Sequence, residues 1–183
     1  SPAFEIIQDF SEGLAAVYIK GKWGFNDTKG RFVIDPIFDS VGPFSEGLAY
    51  VVKSGKHRFI DKEGNFVISL PSDIQEVGKF SEGLASICKK SLSNEYVKIC
   101  GFIDKTGKQV IPYQFNEVGF FSEGLVNVGM NLDRDTPFKT TYGIANKVGK
   151  LVVPFKFYSA EKFSDGLALI YEEKRGYGFI NTK

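Results

Sequence analysis

The sequence predicts an all-β protein made of five tandem repeats, each a short antiparallel β-meander, stacked face to face in a β-propeller-like array. A block of Phe, Ser, an acidic residue, Gly and Leu occurs five times, beginning at Phe10, Phe44, Phe80, Phe121 and Phe163. Gly-containing turn signals punctuate each copy, and no stretch shows a sustained helical period. The 18 Phe, 8 Tyr and 20 Gly residues are typical of a strand-and-turn protein.

The repeats divide one domain into five units. Successive blocks are separated by 34, 36, 41 and 42 residues, within the roughly 20 to 50 residues that are typical of stacked repeats. The unit boundaries are predicted at about 2–35, 36–70, 71–111, 112–153 and 154–183, the last unit being incomplete. Each unit starts with a Pro, namely Pro2, Pro36, Pro71, Pro112 and Pro154.

Three turns give each unit four strands. In the first unit, the first strand ends at the turn Ser11-Glu12-Gly13, and the second is followed by the turn Lys20-Gly21. The third strand carries Trp23-Gly24-Phe25, and the fourth follows the turn 27–30 and ends at a β-branched pair. Gly at each turn supplies the positive φ that compact hairpin loops require.

The strand faces differ in bulk. With Lys20-Gly21 as the turn, Tyr18 lies opposite Trp23 and Ala16 opposite Phe25, which makes one face bulky. The other face is small and carries Ala, Val and Gly. Since both faces are apolar, both must be covered, and we expect the bulky face of one unit to pack on the small face of the next. The third-strand glycines are expected to allow this close approach between units: Gly24, Gly101, Gly143 and Gly178.

Two overall arrangements fit such stacking. One is a closed five-bladed ring, and the other is an open β-solenoid or spiral array of hairpins. The fifth unit lacks a fourth strand, which favours the open form or a longer parent chain. Ser1-Pro2 is typical of a trimmed or mature chain start.

The combined motif resembles the bacterial WG repeat family (WG-containing repeat, KWG-type). The resemblance is carried by the Phe-Ser-Glu-Gly-Leu-Ala block, by Gly21-Lys22-Trp23-Gly24-Phe25 and by the Asp-x-x-Gly turn, and it covers the whole chain. It implies a non-enzymatic interaction domain of a bacterial protein, with no catalytic residues and no cofactor. The chain departs from the family pattern at the Trp position, which holds His57, Cys100, Tyr142 and Tyr177, and at one Gly position, which holds Arg58.

The net charge and the lengths of the apolar runs limit the classes of partner that we expect. A net charge of +1 argues against nucleic acid, and no apolar run is long enough for membrane insertion. We therefore expect a protein–protein interaction scaffold whose partner is another protein, with glycan or cell-wall binding as the alternative. The compartment is undefined by the sequence, with an extracytoplasmic or cell-surface location as the working expectation.

Few residues of the sequence suggest a metal site or a ligand-binding site. His57 is the single histidine and has no His/Cys cluster around it in sequence, so we expect an aromatic substitute rather than a metal ligand. The acidic turn residues form either a ring that binds cations or sugar hydroxyls, or solvated turn positions, which we favour: Glu12, Glu46, Glu82, Glu123 and Asp165. A second acidic or amide set should bond its own turn backbone: Asp27, Asp61, Asp104, Asn146 and Asn181.

The two cysteines should face each other. Cys88 aligns with Tyr18 and Cys100 with Trp23, so both lie across one hairpin. They form either a disulfide or two buried thiols that replace an aromatic pair.

Two insertions interrupt the second hairpin of later units. One spans Lys89 to Ile99, and the other surrounds residues 131–138. Because insertions in repeat proteins often lie on a binding face, the predicted binding residues are Asn94, Glu95, Tyr96, Asp133, Arg134, Asp135 and Phe138.

Overall fold

The described part of the chain consists of strands and turns. The computed structural model describes residues 4–92, 97–132 and 139–181, in which nineteen strands form five antiparallel sheets. This confirms the predicted all-β class and the five meanders. Within these residues, no helix of the length and apolarity needed to cross a membrane occurs.

The strands follow one another in up-and-down order within each sheet. Sheet 1 contains β1 (Ile6–Ser11), β2 (Leu14–Ile19), β3 (Lys22–Asp27) and β4 (Phe32–Phe38). Sheet 2 contains β5 (Ser40–Val41), β6 (Ala49–Lys53), β7 (Lys56–Ile60) and β8 (Phe66–Ser69). Sheet 3 contains β9 (Ile74–Val77), β10 (Leu84–Lys90), β11 (Lys98–Asp104) and β12 (Gln109–Phe115). Sheet 4 contains β13 (Glu117–Val118), β14 (Leu125–Asn131), β15 (Thr140–Asn146) and β16 (Leu151–Phe157). Sheet 5 contains β17 (Ser159–Ala160), β18 (Leu167–Glu172) and β19 (Gly176–Asn181).

The turn of the repeated block is a tight two-residue loop. Glu12 has φ of 53° and Gly13 has φ of 87°, so both central residues lie in the left-handed region, as in a type I′ hairpin turn. The acidic residue keeps this conformation in every copy, at Glu46, Glu82, Glu123 and Asp165. A non-glycine residue tolerates this strain in all five turns, which indicates that its side chain has a role.

The predicted register and the predicted stacking are both confirmed. Tyr18 pairs with Trp23 and Ala16 with Phe25. The bulky face of sheet 1 then packs on the small face of sheet 2, where Phe25 and Phe38 join the core that contains Ala49. Burying one such Phe contributes roughly 1.5–3 kcal/mol, so the cores between sheets hold the array together.

The same aromatic contact recurs at successive junctions. The third-strand Phe of one sheet meets the block Phe of the next at ring-centroid distances of 4.9, 4.9 and 5.0 Å, in the pairs Phe25–Phe44, Phe59–Phe80 and Phe102–Phe121. At the last junction, Ile144 and Phe163 share the core. Four equivalent cores therefore link the five sheets.

The array is open rather than closed into a ring. Phe179 of sheet 5 is 70% exposed, whereas its counterparts Phe25, Phe59 and Phe102 are at most 1% exposed. At the other end, Phe10 is 54% exposed, although its counterparts are buried. The closed five-bladed ring, the first of the two predicted arrangements, is thus not what the described residues form, and they agree with the open array that was its alternative.

The third-strand glycines do not serve the contact between units that the sequence suggested. A Cβ on Gly24 would lie 2.6 Å from the carbonyl oxygen of Ile34 and 2.7 Å from the nitrogen of Pro36, both in the neighbouring strand of the same sheet. The strand register shifts here, because Trp23 pairs with Phe38 while Phe25 pairs with Ile34. The extra residues around Pro36 form a bulge that closes over the glycine.

Sheet 2 shows what happens without the glycine. Arg58 takes the glycine's place and pairs regularly with Ser69, so the bulge around the proline is absent. The guanidinium of Arg58 instead lies 4.4 Å from the ring centroid of Phe66. Glycine and bulge therefore occur together in sheets 1, 3 and 4 and are both missing in sheet 2.

Candidate functional site

The repeated block forms a polar joint between neighbouring sheets. The hydroxyl of Ser11 donates to the carbonyl oxygen of Phe44 at 2.6 Å. The three following serines make the same bond to the next copy at 2.7, 2.7 and 2.8 Å, in the pairs Ser45–Phe80, Ser81–Phe121 and Ser122–Phe163. Serine is thus needed at this position because its hydroxyl reaches the following sheet.

The acidic turn residues belong to the same joint. The Gly47 N–H donates to Glu12 Oε2 at 3.0 Å, and Lys62 Nζ lies 3.1 Å from that carboxylate while donating to the Glu12 carbonyl oxygen. Burial alone would raise the pKa of Glu12, but the bonds from Lys62 and Gly47 outweigh it and lower the pKa from its usual value. The residue is held ionised by the next sheet.

The joint repeats along the array. It differs from both interpretations of these carboxylates that the sequence suggested, a binding ring and solvated turn positions. Equivalent Glu-to-Gly bonds join Glu46 to Gly83, Glu82 to Gly124 and Glu123 to Gly166. Lys105 and Lys147 pair with Glu46 and Glu82. Because four of the five carboxylates connect neighbouring sheets, they are neither simply solvated nor a free binding ring.

A sequence signal for this joint exists. Lys occupies the second position of the Asp-x-x-Gly turn in units two, three and four, at Lys62, Lys105 and Lys147. The first unit has Thr28 at this position. In units two, three and four, the Lys of this turn thus corresponds to a Glu of the previous unit.

Four members of the second set behave as predicted: Asp27, Asp61, Asp104 and Asn146. Asp27 accepts from the backbone N–H of Lys29 and of Arg31, each at 2.9 Å. Asn146 makes the same bonds to Val148 and Lys150, so the amide substitutes for the carboxylate. These side chains therefore close their own turns.

The residue in the repeat's Trp position makes a different side-chain contact in each sheet. Tyr18 and Trp23 pack as tilted rings with centroids 5.1 Å apart in sheet 1, and Tyr171 and Tyr177 do so at 4.9 Å in sheet 5. In sheet 2 the hydroxyl of Tyr50 is 2.6 Å from Nδ1 of His57. The histidine therefore acts as the expected aromatic substitute.

In sheet 3 the residue in the Trp position forms a disulfide, and in sheet 4 it forms a hydrogen bond to a carboxylate. Cys88 and Cys100 pair across the hairpin, and their sulfurs are bonded at 2.08 Å. In sheet 4 the Tyr142 hydroxyl donates to the Glu117 carboxylate, and burial together with this carboxylate raises the pKa of Tyr142 to about 12.

The predicted binding residues of the two insertions lie outside the described residues. These are Asn94, Glu95, Tyr96, Asp133, Arg134, Asp135 and Phe138. The described flanks show that the first insertion lengthens its hairpin, since Lys89 pairs with Ile99 and Lys90 with Lys98. The described flanks of the second insertion are paired as well, since Asn131 pairs with Thr140.

Other possible sites are shallow. A cleft of about 220 Å³ borders the disulfide and includes Glu76, Lys98 and Phe120. A second, of about 240 Å³, surrounds His57 and Arg58 where the bulge is absent. Among the described side chains, no group of three or more His, Cys, Asp or Glu residues is arranged to hold a metal ion.

Several exposed apolar side chains share one side of sheet 5, and we name this surface the tail face. Its residues share the bulky side of β18 and β19: Leu167, Leu169, Tyr171, Tyr177 and Phe179. Tyr177 is 75% and Leu167 46% exposed. The same side of every other sheet is covered by its neighbour, so this face is the candidate binding surface. Sequence reasoning did not identify this face.

Known proteins support the fold. No curated protein shows significant sequence similarity to this chain. Among solved structures, the uncharacterized protein lmo1340 from Listeria monocytogenes EGD-e matches with 14% identity and a TM-score of 0.60, over 97% of this chain and 63% of that one. The extracellular domain of BT3049 from B. thetaiotaomicron matches with 15% identity and a TM-score of 0.51, over 98% of this chain and 28% of that one. This chain therefore spans less than two thirds of either structure.

The family model for the WG containing repeat matches five times, over residues 1–23, 23–56, 58–92, 101–131 and 142–174. These matches cover most of the chain, and they follow the joints and hairpins described above. The chain belongs to the WG containing repeat family.

Proposed function

We propose that this chain is a non-enzymatic interaction scaffold and that it binds another protein. The observation that carries the proposal is the exposure of the tail face. Tyr177 is 75% and Phe179 70% exposed, on the side that every other sheet buries against a neighbour. Aromatic residues of this kind are enriched in the buried centres of protein interfaces.

We propose no enzymatic activity, because the described acidic residues and the histidine make structural bonds. Glu12, Glu46, Glu82 and Glu123 connect sheets. His57 is bonded to Tyr50. Groups committed to structural bonds in this way do not supply the paired acid and base that catalysis requires.

The proposal is tested by protein capture with a matched pair of variants. Tyr177→Ser/Phe179→Ser removes both exposed rings from the tail face. Phe120→Ser removes a 45% exposed ring elsewhere on the surface. We expect the double variant to lose bacterial proteins that the unaltered chain and Phe120→Ser both retain, with circular dichroism unchanged in all three. Equal capture by all three proteins would contradict a role for the tail face.

Glycan binding is the second candidate, since exposed aromatic rings also stack on sugars. Its other support is weaker, because four of the five turn carboxylates that were expected to meet sugar hydroxyls bond neighbouring sheets instead. Retention on a peptidoglycan column that is lost in Tyr177→Ser/Phe179→Ser, without loss of any captured protein, would favour this candidate.

The two inserted loops stay a second predicted contact region. Shortening both loops should reduce capture only if they contribute, whereas the tail-face variant tests the sheet alone. Comparing the two sets of captured proteins separates the contributions.

A further inference from the structure

We propose that one edge of sheet 2 binds an extended, acidic segment of a partner protein, which adds to β8 as a fifth strand. We name this surface the sheet-2 edge; it comprises the exposed strand residues Phe66, Val67 and Ser69 and the basic residues Lys56 and Arg58 beside them. It lies on a different sheet from the tail face, so the inference goes beyond the proposed function and does not depend on it.

The first step is that β8 differs from the edge strands of the other four-stranded sheets. The fourth strand of sheets 1, 3 and 4 contains Pro36, Pro112 or Pro154 and pairs in a shifted register. A proline without an N–H and a bulge both make an edge a poor template for another strand. In contrast, β8 contains no proline, and its residues Ile68 and Ser69 pair with consecutive residues of β7.

The second step is that β8 directs backbone groups away from its own sheet. The Leu70 N–H donates to the carbonyl oxygen of His57 in β7 at 2.9 Å, and Ile68 also has its partner in β7. Because the bonds of an antiparallel ladder alternate, Val67 and Ser69 direct their N–H and C=O groups to the opposite side. The strand order β5-β6-β7-β8 leaves that side without a further strand among the described residues. An added strand bonds to such alternate residues.

The third step concerns the side chains along this edge. Phe66 is 46% and Val67 48% exposed. The ring of Phe66 has fixed neighbours, since Phe38 of sheet 1 lies 6.4 Å away edge to face and the Arg58 guanidinium lies 4.4 Å from its centroid. Aromatic and β-branched side chains pack well against those of a neighbouring strand. The edge therefore suits an extended segment with β-branched or aromatic residues at alternate positions.

The fourth step is the charge beside the strand. The cleft of about 240 Å³ lies at the Ser69 end of β8, and it is lined by Lys56, His57, Arg58 and the hydroxyls of Ser69 and Ser72, with no acidic residue. In the described part of the chain, neither Lys56 nor Arg58 forms an ion pair with a carboxylate. A guanidinium binds a carboxylate through parallel hydrogen bonds. The partner segment should thus carry Asp or Glu next to its alternating residues.

Arg58 links the two features. In sheets 1, 3 and 4 a glycine holds this position and the bulged backbone of the fourth strand closes over it, as at Gly24, Gly101 and Gly143. Arg58 replaces the glycine in sheet 2, where the bulge is absent. The same sheet therefore has both a regular edge and a cation beside it.

The test is selection from a random peptide library displayed on phage, with the whole chain as bait. Ser69→Pro removes an outward N–H and puts proline directly after a β-branched pair, as Pro112 and Pro154 are placed in sheets 3 and 4. Ser69→Ala is the matched control, because it keeps the N–H. We expect retained peptides to be acidic and alternating, and Ser69→Pro to weaken them about fivefold or more through the lost backbone bond. Ser69→Ala should bind them as the unaltered chain does.

The charge is tested separately. Arg58→Gln keeps most of the side chain and removes its charge, so we expect the acidic peptides to bind about fivefold more weakly. Added salt should weaken them on the unaltered chain, since the cations are partly exposed. The control Lys29→Gln removes an exposed lysine from a turn of sheet 1 and should leave their affinity unchanged.

A second measurement leaves the chain unaltered and so does not depend on how Ser69→Pro folds. The tightest peptide is synthesised with N-methyl groups on one alternate set of its amides, and again with N-methyl groups on the other set. An added strand has one bonded edge and one free edge. We therefore expect one methylated peptide to lose binding and the other to keep it.

Four outcomes would overturn the inference. They are the retention of no peptide, equal binding of the retained peptides to Ser69→Pro and the unaltered chain, equal binding of both methylated peptides, and self-association that Ser69→Pro abolishes. The third outcome would indicate carboxylate binding in the cleft without an added strand, and the fourth a second copy as the occupant. Tyr177→Ser/Phe179→Ser should keep the peptides, so failure of the tail-face proposal and failure of this one are distinguishable.

Discussion

Gly24 illustrates how one missing side chain shapes a whole sheet. Its Cα is covered by the bulged backbone of β4, so an added Cβ would lie 2.6 Å from the Ile34 oxygen. Gly178 has the same position in sheet 5, but its nearest atom would be the flexible Cδ1 of Ile170 at 3.5 Å. The two glycines therefore differ in what a methyl group would meet.

We expect Gly24→Ala to lower the free energy of unfolding by about 1–3 kcal/mol, as overpacking against immobile backbone does. The matched control Gly178→Ala should change it by no more than about 0.5 kcal/mol. Urea denaturation followed by fluorescence measures both values. Equal destabilisation would mean that the glycine is required for a reason other than the bulge.

Glu82 gives a pH dependence. Burial alone would raise its pKa, but the Lys147 ammonium and the Gly124 N–H outweigh it, so the pKa lies below the usual 4.5. A carboxyl with a lowered pKa in the folded state stabilises fully above its unfolded pKa, and this contribution is lost as the pH falls through the folded value.

We therefore expect Glu82→Gln to be less stable at pH 7 by about 0.5–1 kcal/mol, as for a partly exposed ion pair. As the pH falls from 4.5 through the lowered folded pKa, its stability should approach that of the unaltered chain, because the folded Glu82 carboxylate is then protonated. Thermal unfolding across this range, with the exposed Glu173→Gln as control, measures the difference. A constant gap at every pH would exclude the charge as its cause.

At the scale of single residues, sequence reasoning found positions better than partners. It placed Tyr18 opposite Trp23 and assigned Asp27 to its own turn, because both depend on local spacing. It missed the contacts of Glu12, because its carboxylate bonds the Gly47 N–H, 35 residues away. Only the matching Lys in the next unit encodes that contact in the sequence.

At the scale of one element, the hairpin β10–β11 carries a covalent link that the other hairpins lack. Cys88 and Cys100 are 12 residues apart, and closing a loop of this size is worth roughly 3 kcal/mol through the unfolded chain. Both side chains are buried, at 3% and 0% exposure. The bond supports the hairpin from which the first insertion extends.

Reduction should therefore destabilise the unaltered chain by up to about 3 kcal/mol. Cys88→Ala/Cys100→Ala should show no response to reductant, which separates the bond from other effects of the reagent. Hydrogen exchange read by mass spectrometry should locate the loss in β10 and β11. Loss spread evenly over all five sheets would contradict a local role for the bond.

The strands and turns were largely predictable from the sequence. The bulge in the fourth strand was not, and sheet 2, which lacks it, shows why. Alternating small and bulky residues defined the strands, and Gly-containing turns defined their ends. The bulge was not predicted, because it places Gly24 against the backbone around Pro36 in the neighbouring strand, and the sequence does not show this register. In sheet 2 Arg58 replaces the glycine and the bulge around the proline is absent, so the two features vary together.

At the scale of the whole molecule, the stacking was predictable and the choice between ring and open array was not. Packing of bulky on small faces follows from two apolar faces that need cover. Closure depends on how much each sheet rotates relative to its neighbour, which the repeat pattern does not specify. The 70% exposure of Phe179 identifies the open form, and the same exposure supplies the candidate site.

The serine bond between sheets has a further consequence for how such proteins change in evolution. Each of the four junctions uses the same hydroxyl-to-carbonyl contact, from Ser11–Phe44 to Ser122–Phe163. An in-frame duplication or deletion of one unit would join two surfaces that already fit. Gene rearrangement can therefore alter the length of the array one copy at a time, without requiring a new interface between units.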